Sequence, residues 1–346
     1  MGKNVVFSKM EGTNDVLFGK FEHPIRALIE NESNICEKQK GILEFLYNVE
    51  KSNRYSETVV GQDDFDTFQS AKEGQGAEND SISPTFSKTI SHIPFMKEFT
   101  VTREMADDSQ FGIGANIKNL PKNFVRAYYK TRNKIAAWAL INGTSTSGTF
   151  NKATVDLSTG DKLALFHKAH TYASRSGTQS NYYVNGTASS MLTSATIENT
   201  LNTLANKMRN IKDENGEAMG YIADVVIIPC NRPGLEAVVK KCIGSERAVG
   251  SNNNDINTQY GNWTLVVLPG WEVSSDKIMI MSSEANKNLL GNMFYNRISL
   301  DVKSWVDGHT RNYIWNGYCR FGVGFNTWKH IMLFDDASSN GSATTI

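Results

Sequence analysis

The sequence has few features of a secreted or membrane-spanning protein. Its 346 residues include only four cysteines without paired spacing, so we expect free thiols in a reducing compartment rather than a disulfide framework. No stretch approaches the ~20 apolar residues that a membrane helix needs, and the first residues lack the apolar core of a signal peptide. These absences predict a soluble cytoplasmic protein that makes no contact with a membrane.

Excess charge of either sign is also lacking. The chain has 36 Lys and Arg residues and 36 Asp and Glu residues, so its formal net charge is zero. A dedicated nucleic-acid binder normally carries a basic excess on one face, and this balance argues against one without excluding a protein that merely encloses nucleic acid. The length suffices for two compact lobes, because single cores rarely grow past about 250 to 300 residues.

Residues suited to catalysis or metal binding are sparse. His167 and His170 leave a zinc site two ligands short, so a hydrogen-bonded structural role is favoured over zinc. Cys230 follows a strand pattern and precedes a helix pattern, where nucleophiles occur, but no partner base can be named for it. We expect neither a cofactor nor an active site.

One long helix dominates the sequence pattern. From Asn119 to Gly143, a stripe at spacings of three and four indicates one buried face, formed by Phe124, Tyr128, Thr131, Ile135 and Trp138. Asn119 is the expected N-cap, Pro121 suits the first turn, and Gly143 suits a left-handed position after the end. The basic, solvent-exposed side would consist of Arg126, Lys130, Arg132 and Lys134. This spine helix would span about 35 Å.

The segment before the spine helix has an unusual composition. Residues 51–97 contain two strand patterns separated by a long polar stretch rich in Gly, which predicts an extended hairpin. Its aromatic side chains with no evident core of their own are Phe65, Phe68 and Phe86. A hairpin without a packing partner is at best marginally stable in water. Either the hairpin lies on a neighbouring copy of the protein, or it is a mobile surface loop.

The two ends of the chain differ in regularity. The first twenty residues predict an extended arm, followed by short helices at Pro24–Glu30 and Glu37–Val49. After a polar connection at Thr171–Ser190, regular patterns predict an α/β lobe with helices at Ser194–Asn210 and Pro233–Ile243 and strands at Ala223–Pro229, Trp263–Leu268 and Lys277–Met281. Two alternating strands joined at Asp307-Gly308 would close the fold.

This order of segments resembles the major capsid proteins of tailed phages, and within them the head subunits of Mu-like prophages. The segments that carry the resemblance are FTVTREMADDSQFGIG before the spine helix FVRAYYKTRNKIAAWALING, LALFHKAH after it, ADVVIIPCNRPGLEAVVKK and YGNWTLVVLPGWEVSSDKIMIMSSE in the lobe, and FGVGFNTW near the end. Together they span residues 51–334. The polar insert at Thr171–Ser190 and the short, neutral N-terminal arm depart from the family pattern.

The resemblance implies an α+β, HK97-like capsid fold. Its parts would be an N-terminal arm (1–50), an extended hairpin loop (51–97), a peripheral domain with spine helix 119–143 (98–190), an axial domain (191–290), and closing strands with a tail (291–346). The implied function is a major capsid protein whose hexamers and pentamers form an icosahedral shell around phage double-stranded DNA. The implied partners are that DNA, bound without sequence specificity, a portal protein and scaffold or decoration proteins. The protein would be found in the virion after assembly in the bacterial cytoplasm.

The resemblance also implies contacts between subunits in place of an active site. The residues expected there are Phe65, Phe68, Lys72, Phe86, Arg126, Lys130, Asn252, Asn253 and Asn254. The asparagines lie in the loop Gly244–Asn262, which would surround the fivefold and sixfold axes. The basic stripe of the spine helix would be solvated, contact a neighbour or face polyanion inside the shell.

Two other functions stay open at this stage. An encapsulin-like shell would share the fold but hold a protein cargo. A cytosolic α/β hydrolase would use Cys230 or the histidines.

Overall fold

The computed structural model contains two five-stranded sheets among its described residues, which are 5–7, 16–39, 41–62, 68, 70, 72–74, 76, 84–107, 114–184, 194–247 and 256–336. The helices are α1 Val16–Lys38, α2 Ile42–Leu46, α3 Arg103–Asp107, α4 Gly114–Ile141, α5 Ser194–Arg209, α6 Pro233–Gly244 and α7 Ser283–Asn288. The strands are β1 Val5–Phe7, β2 Asn48–Lys51, β3 Ser56–Gln62, β4 Pro84–Ser91, β5 Ile93–Val101, β6 Ser147–Phe150, β7 Ala153–Asp156, β8 His170–Thr171, β9 Thr178–Gln179, β10 Tyr182–Val184, β11 Val225–Pro229, β12 Thr264–Leu268, β13 Lys277–Met281, β14 Asn292–Val306, β15 Tyr313–Phe325 and β16 Ile331–Asp335.

Sheet 1 is built on the two long antiparallel strands β14 and β15, with β5 beside β15 and both β1 and β2 parallel to β14. Side chains of β15 alternate between buried and half-buried up to Arg320, as the sequence pattern predicts for a strand with one covered face. The connection between β14 and β15 is longer than the predicted two-residue turn. Asp307 Oδ1 accepts from the backbone N–H of His309, and Oδ2 accepts from that of Thr310, which stabilises a wider loop.

The spine helix α4 packs on the covered face of sheet 1. Phe124 contacts the Phe99 ring edge-on, and Phe99 stacks on Trp315. A Cβ at Gly317 would lie 2.3 Å from the Phe124 ring, so only glycine admits the helix this close to β15. The helix therefore joins the two halves of the chain through one aromatic core.

The predicted bounds of the spine helix are wrong at its start. The helix begins at Gly114, so Asn119 lies inside it and Pro121 is a buried interior residue. Tertiary packing of Pro121 overrides the local signals for a helix start. Gly143 follows the helix without a left-handed backbone. A Cβ there would lie 2.9 Å from the Phe166 ring, so close packing accounts for this glycine.

Arg132 was predicted on the solvent side of the helix, and this prediction is also wrong. Its guanidinium lies 5.6 Å from the ring centres of Tyr128, Tyr129 and Phe294, with Glu44 of α2 3.9 Å away. Arg132 is buried because α2 folds over this part of α4. The stacked rings and the carboxylate stabilise the buried cation.

The N-terminal segment is more helical than predicted. Helix α1 replaces the end of the expected arm and the helix at Pro24–Glu30, and α2 is much shorter than the predicted Glu37–Val49. Ile25 and Ile29 are buried in the core with α4, and Ser33 Oγ lies 2.9 Å from the Tyr129 hydroxyl. Packing on α4 therefore extends the helix beyond its local pattern.

The predicted hairpin is divided in two. Strands β3 and β4 form a separate two-stranded ribbon, here called the ribbon, whereas Ile93 and Phe95 belong to β5 of sheet 1. The chain changes sheet at His92, which is buried with its Nδ1 2.6 Å from the Tyr55 carbonyl oxygen. Phe95 leaves the hairpin because it stacks on Phe321 in the core.

Sheet 2 has the order β10-β16-β13-β11-β12 and forms the α/β lobe. The stripes of α5 and α6 are buried as predicted, among them Leu201 and Val239, and the predicted strands at 223–229, 263–268 and 277–281 are confirmed within a residue or two. The polar insert at Thr171–Ser190 was predicted to be a connection, but it contributes β10, which pairs with β16. This strand places part of the region assigned to the peripheral domain in sheet 2.

Candidate inter-subunit surface

The ribbon lies on the face of sheet 1 opposite the spine helix. Ile90 of β4 packs over Gly322 and Gly324 of β15, where a Cβ would lie within 3.2 Å and 2.7 Å of the Ile90 side chain. Val59, Ile90, Met293 and Tyr295 form a small buried cluster of their own. The expectation that the hairpin has no packing partner is therefore wrong for the ribbon, because two glycines on one strand face make room for it.

An ion pair fixes the ribbon from the side. Lys88 Nζ donates to Asp156 Oδ2 at 2.6 Å and to Ser158 Oγ at 2.8 Å. The Lys88 side chain is 5% exposed and that of Asp156 is 62% exposed. Burial lowers the pKa of Lys88 in spite of its bonds to Asp156. Burial raises the pKa of Asp156, but bonds from Lys88 and Ser158 outweigh it and hold that pKa below its ordinary value.

The three predicted contact aromatics have different surroundings. Phe86 is half-buried on its own subunit, where a Cβ at Gly160 would lie 2.8 Å from the Phe86 Cβ. Phe86 therefore packs beside Gly160, although neither buried hydrophobic cluster includes it. Phe68 is fully exposed. Phe65 lies outside the described residues, and Lys72 is exposed.

The remaining predicted contact residues also differ in their surroundings. Arg126 Nε donates to Glu32 Oε1 at 2.6 Å, so its guanidinium is already paired within the subunit across α1 and α4. Lys130 is exposed on the same helix. Residues 252–254, which include the three asparagines, lie outside the described residues. An inter-subunit role for Arg126, Lys130 and the asparagines stays a prediction.

The described part of the loop Gly244–Asn262 is anchored to the α/β lobe at its base. Asn257 is buried and donates through Nδ2 to the carbonyl oxygens of Cys242 and Ser245. Gln259 donates to Asn202 of α5 at 2.8 Å. Ile256 is 85% exposed beside this anchor. The anchor therefore holds an apolar side chain out into solvent.

A cleft of about 290 Å³ lies beside Val60, Gly61 and Thr85 of the ribbon; we call it the ribbon cleft. Its apolar lining is Val60, Met219, Leu289 and Leu290, and its polar lining includes Thr85, Asp213, Glu214, Asn326, Thr327 and Lys329. Val60 and Leu290 are 50% and 37% exposed. Lys329 Nζ lies 3.2 Å from Glu214 Oε1, so these two charges compensate each other.

The two histidines of the candidate metal motif differ in burial, since His167 is only half-buried. His170 is wholly buried, with Nδ1 2.7 Å from Asp161 Oδ2, and its ring stacks on Trp328. The amide of Asn181 donates to the carbonyl oxygens of Leu165 and Ile331 and ties this loop to sheet 2. The predicted hydrogen-bonded structural role of His170 is confirmed. Among the described residues no group of three His, Cys, Asp or Glu side chains is placed to hold a metal ion.

The cysteines are all free, and two of them are buried thiols. Burial raises the pKa of Cys242 to about 11 and that of Cys319 to about 12, so both stay protonated at neutral pH. Cys230 is exposed, and its Sγ lies 3.5 Å from the Trp271 carbonyl oxygen. The buried His170 cannot serve Cys230 as a solvent-accessible base, which weakens the hydrolase hypothesis.

Several residues of this surface could not be found by the sequence analysis. Lys88 and Asp156 are 68 positions apart, and no local pattern links them. Gly322 and Gly324 did carry a signal, since a spacing of two puts both on one face of a strand.

Comparison with known proteins assigns the family. The family described as phage capsid protein matches residues 95–332, more than half of the chain. The chain therefore belongs to the phage capsid protein family. The match begins within β5, so α1, α2 and the ribbon lie outside it. A search of curated proteins finds no match.

Solved structures similar to this chain include three particle proteins. The capsid of Myoviridae phage XM1 is 14% identical over 84% of this chain and 90% of that chain, with a TM-score of 0.49. A structure of Mycobacterium phage Patience is 15% identical over 97% and 92%, with a TM-score of 0.49. A virus-like particle from Pyrococcus furiosus is 10% identical over 90% and 98%, with a TM-score of 0.48.

The family assignment gives the biological role of this subunit. The chain is a major capsid protein, a structural subunit that assembles with copies of itself into the shell of a virion. With the element order described above, the predicted α+β, HK97-like capsid fold is confirmed. The likeness to Mu-like head subunits stays a prediction. No helix among the described residues is long and apolar enough to cross a membrane.

Proposed function

We propose that this chain forms the hexamers and pentamers of a closed icosahedral shell that encloses double-stranded phage DNA. The observation that carries the proposal is the ribbon, which rests on its own subunit through Ile90 and Lys88 while Phe68 beyond it is fully exposed. An exposed aromatic on a long connection costs free energy of solvation unless another molecule covers it. Identical neighbours in a shell would provide that cover.

Each part of the subunit has a place in this proposal. The anchored loop around Ile256 would meet its symmetry mates at the fivefold and sixfold axes. The solvent-exposed Lys130 of the spine helix would face either a neighbouring subunit or the enclosed DNA. A contact between Lys130 and the DNA would not require recognition of the bases. Zero net charge suits dense self-association, because identical subunits with a large charge repel one another.

The proposed partners follow from the enclosed DNA. A closed shell needs an opening for DNA entry, so we include a portal protein at one vertex and scaffold or decoration proteins during assembly in the bacterial cytoplasm. The protein itself would perform no catalysis. Function would depend on contacts that are individually weak and become cooperative when the shell closes.

Purified recombinant protein provides the test. Electron microscopy and mass measurement should show capsomers or closed particles of megadalton mass. A protein that stays monomeric to tetrameric at every concentration would overturn the proposal.

The contents of the particle decide between the two kinds of shell. Particles isolated from the host should contain nuclease-protected double-stranded DNA. A protein cargo without DNA would favour the encapsulin-like compartment instead.

A further inference from the structure

We propose that residues 41–52, here called the strap, fix the angle between sheet 1 and sheet 2, and that this angle sets the curvature and therefore the diameter of the shell. The strap consists of α2 and β2 with the residues that flank them. The inference rests on the proposed function, because diameter is a property of the assembled particle. It adds a conformational device that the family assignment does not supply, since the family match begins at residue 95.

The strap is bound to the spine helix and to sheet 1. The Tyr47 hydroxyl donates to the Ala136 carbonyl oxygen of α4 at 2.8 Å, and the Leu43 backbone N–H donates to Asn133 Oδ1 of the same helix at 3.2 Å. Strand β2 then pairs in parallel with the first part of β14. Leu43 and Leu46 are fully buried. The strap is therefore packed as part of the sheet 1 half of the subunit.

The strap also holds α7, the helix that follows β13 of sheet 2. The Ser283 backbone N–H donates to Asp224 Oδ1 at 2.7 Å, which ties the start of α7 to the start of β11. Asn48 Nδ2 donates to the Asn286 carbonyl oxygen of α7 at 2.7 Å. In return, Asn286 Nδ2 donates to the Leu46 carbonyl oxygen at 3.3 Å. The strap therefore connects both sheets within one subunit.

The Leu46 carbonyl oxygen is the point where elements of both sheets meet the strap. It accepts from Asn286 on the sheet 2 side and, at 2.9 Å, from Nδ2 of Asn292, the first residue of β14. Asn292 Oδ1 lies 2.8 Å from Nε2 of His330, where the chain returns to sheet 2 before β16. Asn292 and His330 are fully buried. Buried polar groups need their partners, so these directional bonds favour one angle where apolar contacts would permit sliding.

The turn that joins α7 to β14 carries backbone strain. Leu290 in this turn has φ 48°, a left-handed backbone that a leucine rarely adopts. Both of its neighbours are held, since the Gly291 N–H donates to the Asn286 carbonyl oxygen and Asn326 Nδ2 donates to that of Leu289. Strained residues persist only where the surrounding contacts over-determine them. We therefore expect the angle between the sheets to change when the contacts of the strap are weakened.

A fixed angle between the sheets has a consequence for the shell. Pentamers and hexamers of one chain differ in how neighbouring subunits are inclined to each other. If the two sheets could also swing freely within each subunit, shells of several curvatures would be close in free energy. With the strap in place, the two kinds of ring differ only at the contacts between subunits. The strap would therefore favour one diameter.

A double variant with two mild substitutions tests this inference. Tyr47→Phe with Asn48→Ala removes one hydrogen bond to the spine helix and one to α7, and it keeps the buried leucines of the strap. In unassembled subunits the amides of β2 should exchange about tenfold faster, whereas those of β11 should not change. Electron microscopy should then show closed shells of several diameters where the wild type gives one. The matched control is Lys51→Ala, an exposed position of β2, which should equal the wild type in both measurements.

The outcomes separate this inference from the proposed function. Shells of the single wild-type diameter, formed by the double variant, would overturn the inference and leave the shell function intact. Unchanged exchange in β2, or mixed diameters in Lys51→Ala or in the wild type, would also overturn it. If the double variant folds but forms no capsomers, the strap serves the contacts between subunits and the inference fails. Wild-type protein that forms no particles at all would instead refute the proposed function.

Tyr47→Phe alone covers the case in which the double variant does not fold. It keeps the aromatic ring, whose centre lies 6.4 Å from that of Phe325, so the subunit should fold as the wild type does. The fraction of shells with the wild-type diameter should fall in this variant as well, though by less than in the double variant. A wild-type distribution of diameters in Tyr47→Phe would overturn the inference.

Discussion

The lobe around sheet 2 and the ribbon bury their apolar side chains in opposite ways. Strands β11 and β16 are buried along their whole length, and α5 and α6 cover them within the same subunit. The ribbon has only a small cluster around Val59 and Ile90, with Val60 half-exposed at its end. The lobe buries its apolar side chains within one molecule, whereas we propose that a neighbouring copy covers those of the ribbon that stay exposed. Substitutions in the lobe should therefore affect folding, and those near the ribbon should affect assembly.

The largest expected effect is in the lobe. Ile280 of β13 is fully buried, so Ile280→Ala should lower the free energy of unfolding by about 2–5 kcal/mol, because it removes buried methyl groups and leaves a cavity. Urea unfolding of unassembled subunits measures this. Val60→Ala on the ribbon is the matched control and should change the value by less than about 0.5 kcal/mol. Equal losses would show that the two regions do not differ as described.

A smaller effect on the free energy of unfolding is expected at the buried pair of Asp161 and His170. Asp161→Asn should cost about 1.5–3 kcal/mol, because the hydrogen bond with His170 loses its charged partner in the interior. Burial raises the pKa of Asp161, but bonds from His170, Thr159 and the Leu163 N–H outweigh it and hold the pKa below 3.8.

The pH dependence of that variant follows from the lowered pKa. The contribution of Asp161 is fully present above pH 3.8, its unfolded value, and is lost as the pH falls through the lower folded value. Between pH 7 and pH 2, the free energy of unfolding should therefore decrease less in Asp161→Asn than in the wild type. Exposed Glu246→Gln is the control, and a wild-type slope in the Asp161 variant would refute the assignment.

A substitution at the contact between the ribbon and sheet 1 should lower the free energy of unfolding by a still smaller amount. A Cβ at Gly322 would lie 2.7 Å from the Ser91 carbonyl oxygen, so Gly322→Ala should cost about 1–3 kcal/mol and push the ribbon away from β15. Limited proteolysis should then cut the ribbon sooner than in the wild type. Gly244→Ala, where nothing lies within 4 Å, is the control. Unchanged cleavage would mean that the glycines do not seat the ribbon.

The smallest effect on folding should come from the segment beyond the ribbon. Replacing residues 65–82 by a short Gly-Ser turn should change the free energy of unfolding by no more than about 1 kcal/mol, because loop-closure entropy varies slowly with length. Phe86 is kept, since it packs on its own subunit. The variant should not form closed shells, as judged by electron microscopy. Normal shells would show that this segment is dispensable.

The same comparison explains what could be predicted from the sequence. Helices α5 and α6 and strand β11 were predicted correctly because their burial lies within one lobe and leaves a local period. Helix α1, the start of α4 and the split between the ribbon and β5 were not, because packing across the chain overrode local caps and turns. Strand β10 has only three residues in a polar insert, too few to show a period.

The contact surface was predicted less well than the fold for a related reason. Phe68 could be singled out as an aromatic without a core, and the structure shows it exposed. The sequence around Phe86 gave the same prediction, yet Phe86 packs beside Gly160, which is distant in the sequence. The ribbon cleft combines residues from five separate segments, among them Val60, Asp213, Leu290 and Lys329, so no single stretch of sequence contains its signal.

Amide hydrogen exchange compared between free subunits and assembled shells tests the central claim most directly. Amides of β11, β13 and β16 should be protected equally in both states, because their hydrogen bonds and burial are internal to the subunit. The amides of Phe68, Ser70 and Lys72, which belong to no described strand or helix, should exchange faster in the free subunit than in the shell. Protection of these three amides that is the same in free subunits as in shells would contradict the proposal that neighbouring copies cover this part of the molecule.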